Sequence, residues 1–250
     1  MFDAERTATM LLEARRTRRM SDRLPDGPGT HAEAVAAQVA MARRVGAFPP
    51  AGFKIGATSA AMQRHLGVPG PMAAFMASAG LHGSGSTLRW DGFLNPGVEC
   101  ELAVVLARPL AVPCTPEDAA AAVGQLMAAI EVVEHRGASE PLGMVADQVF
   151  HAAAVLGEPL EGWRTADLLA LPGRMTVDGA DQGGGVGADL LGGPMQALAW
   201  LAGSAEAAAF GGLQAGQLVM LGSVIPPVWL DGPARVRVSF GTGVAEVELV

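Results

Sequence analysis

Val98-Glu99-Cys100-Glu101-Leu102-Ala103-Val104-Val105-Leu106 is the stretch that decides the fold. On an extended strand, alternate residues share a face. One face carries Val98, Cys100, Leu102, Val104 and Leu106, the other Glu99, Glu101, Ala103 and Val105. Both faces become apolar, so the strand is expected to be buried on both sides. Two glutamates at its start then lose hydration and repel each other. A bound cation removes both problems. Ala129-Ile130-Glu131-Val132-Val133 sets a third glutamate in the middle of an apolar strand. Three carboxylates on adjacent buried strands make a hard-oxygen site suited to Mg²⁺ or Mn²⁺. A second arrangement is also open: Glu99 and Glu101 on a solvated edge, with Glu131 paired to an arginine such as Arg136.

The rest of the 250 residues narrows the class. Fifty per cent are apolar and the net charge is −8, which excludes global disorder and argues against a nucleic-acid lattice as partner. The basic cluster Arg15-Arg16-Thr17-Arg18-Arg19 reads as the solvated face of an N-terminal helix. Cys100 and Cys114 fit neither a disulfide framework nor a zinc spacing. The N-terminus alternates charged and apolar residues, unlike a signal peptide. The uncharged run Ala207 to Leu230 is broken by Gly211-Gly212 and Pro226-Pro227, so it reads as a helix end, a turn and a strand, not a membrane span. A cytoplasmic protein is expected. Of 17 basic residues only Lys54 is a lysine, and there is no tyrosine.

Periodicity and caps predict helices over residues 3–20 and from the Thr30/Glu33 capping box to Gly46, with a loop over 21–29. A strand is predicted over 52–56 and a short helix over 59–66. Residues 69–96 read as loop with short strands. Thr115-Pro116-Glu117-Asp118 starts a helix expected to reach Met127 and feed a strand over 129–134. A helix is predicted over 194–209, then strands over 217–221, 235–240 and 244–250. Gly183 to Gly187 reads as a flexible loop.

At these residues the chain resembles the hydratase/decarboxylase branch of the fumarylacetoacetate hydrolase superfamily. Gly52-Phe53-Lys54-Ile55-Gly56-Ala57-Thr58-Ser59 is similar to its G-x-K-I-G-x-T-S segment. Val98 to Ala103 resembles its E-x-E-x-A strand, and Ile130 to Arg136 its L-E-I-V-D-S-R segment. Val155-Leu156-Gly157, Gly192-Gly193-Pro194, Ala199 to Ala202 and Leu213 to Gln217 follow in the family's order. The resemblance implies an α+β chain: a mixed β-sandwich roll over 51–250 with an N-terminal helical region over 1–50, one catalytic domain forming a homo-oligomer. A complex with a pathway decarboxylase or hydratase is a further expectation. The resemblance also implies that Glu99, Glu101 and Glu131 ligate Mg²⁺ or Mn²⁺ and that Lys54 lies in the substrate pocket.

Departures surround that intact metal set. The family's S/A-D-N stretch is Ala146-Asp147-Gln148, followed by Phe150 and His151 where small or polar residues are usual. Its P-D-F/Y-G segment is Pro71-Met72-Ala73-Ala74. The implied substrate is a 2-oxo acid or its enol, with the cation as Lewis acid for the developing enolate. Three glutamates and Mg²⁺ leave one net negative charge, which Lys54 balances while relaying a proton. Asp147 is a second catalytic candidate, or a helix cap. Ser223, His151 and Arg136 are substrate-binding candidates, with a turn, a core histidine and a salt bridge as their structural alternatives. The leading expectation is a hydratase acting on a 2-hydroxy-2,4-dienoate. A 4-oxalocrotonate-type decarboxylase is the alternative, with His151 or Arg64 for the distal carboxylate. Acylpyruvate C–C hydrolysis would need a His–Glu pair, which neighbouring His135 and Glu134 do not supply. A repurposed, non-catalytic 2-oxo-acid binder is the fourth expectation.

Overall fold

Asp3 and Thr30 fix where the first two helices begin, because their side-chain oxygens accept amide hydrogens that a helix start leaves unpaired. A computed structural model describes residues 1–20, 24 and 26–250, so part of the loop expected over 21–29 lies outside the described residues. Helix α1 (Ala4–Thr17) precedes α2 (His31–Arg44), which opens on the expected Thr30/Glu33 capping box. Strand β1 (Gly52–Gly56) leads to α3 (Ala60–Leu66), capped by Ser59 and closed by Gly67 at φ 66°. The next segment holds three short strands, β2 (Met72–Met76), β3 (Leu81–Gly83) and β4 (Ser86–Leu88), before the long β5 (Pro96–Leu106).

Helix α4 (Pro116–Ala122) is shorter than its sequence suggests, and β6 (Val123–Glu134) is correspondingly longer. Helix to Met127 would forfeit the ladder that pairs Val123 with Leu106 and Met127 with Ala103. Tertiary pairing of apolar residues here overrides local helix propensity. Then come α5 (Pro141–Ala146), β7 (His151–Pro159), β8 (Pro172–Val177) and β9 (Ala180–Val186). The glycine run is therefore mostly strand, not flexible loop. A Cβ at Gly184 would lie 2.3 Å from the Gly173 carbonyl oxygen, so the run permits close strand approach. The predicted 194–209 helix is two helices, α6 (Pro194–Ala202) and α7 (Ala205–Ala209), because Gly203 ends one and Ser204 caps the next. Strands β10 (Leu218–Ser223), β11 (Val228–Trp229), β12 (Ala234–Phe240) and β13 (Gly243–Leu249) complete the chain.

The larger sheet runs β2-β1-β10-β5-β6-β7-β3, with β11 added beside β5; the smaller runs β4-β13-β12-β8-β9. Strands β12 and β13 pack on β5, β6 and β7, giving the expected mixed sandwich roll. Helix α2 packs against α1, α5, α7 and β2 at one end of the larger sheet. No helix among the described residues is long and apolar enough to cross a membrane. The β5/β6 register sets Glu99 directly opposite Glu131, and Glu101 follows one row further along.

The two sheets approach closely at Gly157, where a Cβ would fall 2.2 Å from the Val244 carbonyl oxygen. Gly157→Ala must push backbone apart and should cost about 2–3 kcal/mol. Urea unfolding measures this, and an unchanged midpoint would contradict the close approach.

Candidate functional site

Strands β1, β5, β6 and β7 each contribute one part of a polar cluster inside the larger sheet. Glu99, Glu101 and Glu131 bring one carboxylate oxygen each to within 4.8 Å of one another. Glu101 Oε2 accepts the Gly222 amide at 2.9 Å. Gly222 has φ 109° and a Cβ there would strike the Thr58 side chain at 2.4 Å, so only glycine can deliver that amide. Glu131 Oε1 lies 3.3 Å from Lys54 Nζ and 2.8 Å from His151 Nδ1. Lys54 also donates to the Val149 carbonyl at 3.0 Å. Glu131 thus pairs with Lys54 and His151 rather than with Arg136.

Two oxygens, Glu101 Oε1 and Glu131 Oε2, are buried with no hydrogen-bond partner. Unpaired buried carboxylate oxygens are costly unless they face a cation. The donors are all hard oxygens and carry three negative charges against one ammonium, so the residues present fit a divalent ion of the Mg²⁺ type. Electrostatics agrees. Burial pushes the Glu99 carboxyl up to about 8, with Lys54 pulling it partly back. Burial and the two neighbouring carboxylates lift Glu101 well above the usual range. Burial also acts on Glu131, but Lys54 and His151 outweigh it and hold this carboxyl low. Burial opposes charge on Lys54, yet the three glutamates together raise its pKa.

Glu99 opens onto a cavity of about 490 Å³, walled by Ile55, Ala57, Met62, Val224, Ile225 and Pro226. Ser223, His65 and Asp189 supply polar groups, and no lysine or arginine lines it. The Ser223 hydroxyl donates to the Ile225 carbonyl at 2.7 Å and accepts the Cys100 amide at 3.0 Å, so it shapes the turn beside the cavity. Arg64 is outside this wall, whereas its neighbour His65 is in it.

Asp147 and Arg136 do not touch the carboxylate cluster. Asp147 Oδ2 accepts from Arg136 Nε at 2.9 Å, and its Oδ1 accepts from Arg15 Nη2 at 2.7 Å. Arg136 also pairs with Glu134 at 2.7 Å. The structure thus places Asp147 and Arg136, expected in catalytic and substrate-binding roles, in ion pairs rather than beside the carboxylates. The same ion pairs correct the reading of Arg15 as solvated, since its charge lies on buried Asp147. His151 is buried, with Nδ1 on Glu131. Its unpartnered Nε2 points toward Gly80, away from the cavity beside Glu99. A His–Glu pair therefore exists, although no neighbouring residues in sequence reveal it. Also invisible in sequence is the run Gln148-Val149-Phe150, whose φ values are all positive at 55°, 48° and 65°. Such backbone costs about 1–2 kcal/mol per residue bearing a Cβ. The only signal was the departure from the family's pattern at those positions.

Residues 51–249 match the model of the fumarylacetoacetate (FAA) hydrolase C-terminal family. The chain is 33% identical over 235 residues to a 2-keto-4-pentenoate hydratase of Burkholderia vietnamiensis, covering 88% of this chain and 89% of that protein. A 2-keto-4-pentenoate hydratase of Paraburkholderia phymatum is 32% identical over 254 residues, covering 94% and 97%. Among solved structures, 4-oxalocrotonate decarboxylase from Pseudomonas putida G7, complexed with magnesium and adipate, superposes with TM-score 0.89 at 26% identity, covering 99% and 97%. The chain belongs to the fumarylacetoacetate hydrolase superfamily, in its hydratase/decarboxylase branch.

The raised carboxyls make stability depend on pH. Free glutamate titrates near about 4.3, so at about pH 7 the metal-free folded chain holds a proton on Glu99 that the unfolded chain has released, and the raised Glu101 carboxyl acts in the same direction. Stability must then fall as pH rises through the window of about pH 7 to 8. Burial lowers the His151 pKa below its ordinary value, so this group opposes the trend only weakly, and only at the lower edge of the window where the unfolded imidazole still holds some protons. In EDTA, Tm should drop between about pH 7 and 8, and saturating Mg²⁺ should raise Tm and flatten the slope. A metal-free Tm that is level or rising across the window would contradict the assignment.

Proposed function

We propose that this chain is a divalent-metal-dependent hydro-lyase. It adds water to a 2-hydroxy-2,4-dienoate of the 2-keto-4-pentenoate type and yields a 4-hydroxy-2-oxo acid. The observation that carries this reading is the convergence of three carboxylates, Glu101 and Glu131 buried and Glu99 open to the cavity, with the Lys54 ammonium held on Glu131 behind them. Glu99, Glu101 and Glu131 would hold the ion, Mg²⁺ or Mn²⁺. When bound, it supplies Lewis-acid stabilisation of negative charge developing on the substrate's 2-oxygen.

The chain's own groups do the rest. Lys54, fixed between Glu131 and the Val149 carbonyl, offsets the carboxylate charge and passes a proton at Nζ to and from the dienol system. Ser223 holds the turn that borders the substrate. Ile55, Met62, Val224 and Ile225 exclude bulk water along the carbon chain, which strengthens the polar contacts at the floor. A cavity without lysine or arginine suits a neutral distal end and offers a second carboxylate no fixed cation. The close structural likeness to the decarboxylase keeps decarboxylation of a 2-oxo-3-enedioate as the second reading. A homo-oligomer, alone or with a pathway enzyme, is the proposed assembly.

With Mg²⁺ present, the protein should consume the dienol absorbance of 2-hydroxypenta-2,4-dienoate, and NMR should show the 4-hydroxy-2-oxo product. Carbon dioxide release from a 2-oxo-3-enedioate without that hydration would favour the decarboxylase instead. Lys54→Arg should retain Mn²⁺ binding while lowering kcat by about 10²- to 10⁴-fold, the range for losing a positioned acid or base. Wild-type turnover in Lys54→Arg would remove the lysine from the mechanism.

A further inference from the structure

The segment joining α5 to β7 is the most constrained backbone near the site. Gln148, Val149 and Phe150 are successive left-handed residues, and Val149 is β-branched. Such a run persists only where the surroundings over-determine it. Three sets of contacts do so here. Arg136 donates to the Asp147 carbonyl at 2.9 Å and to the His151 carbonyl at 3.2 Å, bracketing the run at both ends. Gln148 Nε2 donates to the Phe75 carbonyl of β2 at 2.9 Å. The third set comes from α1: Arg15 grips Asp147 Oδ1 through Nε at 3.2 Å and Nη2 at 2.7 Å, and its Nη1 donates to Gln148 Oε1.

The turn has one output toward the reacting centre. It presents the Val149 carbonyl to Lys54 Nζ at 3.0 Å. A lysine stem is flexible and its ammonium has three donors. Glu131 and Val149 fix two directions, which aims the third. Val149 Cγ1 lies 2.8 Å from where Gly56 would carry a Cβ, so the turn also sits tightly on the strand that bears Lys54.

We propose that Arg15 is a positioning residue for Lys54: by clamping Asp147 and Gln148 it holds the left-handed turn that presents the Val149 carbonyl to the ammonium. The N-terminal helix thereby becomes part of the active centre without lining the cavity. This rests on the reading above that Lys54 handles the substrate's proton.

The test uses the full-length protein loaded with Mn²⁺, with 2-hydroxypenta-2,4-dienoate as substrate and kcat expressed per bound Mn²⁺. A small misplacement of a reacting group costs up to about 100-fold. Arg15→Gln should therefore lower kcat by about 10- to 100-fold while KM and Mn²⁺ affinity stay within about twofold. Arg15→Lys, which keeps the Asp147 ion pair but not the fork, should recover part of the loss. In a Lys54→Arg background, adding Arg15→Gln should cause no further loss, because the group it positions has been replaced. Unchanged kcat per Mn²⁺ in Arg15→Gln, or losses that multiply in the double variant, would overturn the proposal while leaving the hydratase reading intact. Full activity in Lys54→Arg alone would overturn the proposal together with the proton-handling role of Lys54, again leaving the hydratase reading intact. If Arg15→Gln does not fold, Gln148→Ala removes the other end of the same clamp and is judged by the same criteria.

Discussion

Three carboxylates share one face of two paired strands, and the β5/β6 ladder allows them no escape. Glu99 is held directly opposite Glu131, with Glu101 one row away. Separating them would break sheet hydrogen bonds, and leaving them charged and unpaired would cost several kcal/mol for each ion. The surrounding structure answers that repulsion. Lys54 reaches from β1 to Glu131, Gly222 turns its amide onto Glu101, and His151 meets Glu131 from β7. Two carboxylate oxygens still lack partners, and a divalent cation completes the balance.

This constraint explains why a chain that otherwise uses arginine keeps one lysine. The Lys54 ammonium lies between a carboxylate and a carbonyl, and only 3.4 Å from where Gly56 would carry a Cβ. A guanidinium presents its donors in a fixed plane and would not reproduce both contacts as one compact ammonium does. A compact ammonium fits, and it can give up a proton. Behind it, Asp147 is shared by Arg15 and Arg136, and Arg136 is shared in turn by Glu134. That buried network is polar but paired, as a rigid support requires. It carries the left-handed turn that a free chain would not adopt.

Much of this was legible in the sequence, for identifiable reasons. Side-chain alternation put Glu99 and Glu101 on one face, and Thr30, Ser59 and Thr115 announced helix starts through local chemistry. The glutamate cluster was also legible, because a charged residue inside an apolar strand demands a partner. What stayed hidden depends on contacts distant in sequence. Nothing local distinguishes Arg15 from Arg16, yet Arg15 lands on buried Asp147 while Arg16 pairs with exposed Glu13. The helix proposed to reach Met127 yielded to strand pairing with β5. Gln148, Val149 and Phe150 have no intrinsic tendency to positive φ, so only the tertiary clamp reveals their conformation. His151 and Glu131 come from separate strands, and their pairing follows from the β6/β7 irregularity near Val133.

The central claim is that Glu99, Glu101 and Glu131 form one cation site with Lys54 beside the ligand. A crystal structure with Mn²⁺ and oxalate, phased at the manganese edge, tests it most directly. One anomalous peak per chain should lie among the three carboxylates, with oxalate completing the coordination toward the cavity lined by Ile55 and Val224 and with Lys54 Nζ within hydrogen-bond distance. Manganese bound elsewhere with the three glutamates left protonated, or oxalate remote from Lys54, would contradict the account.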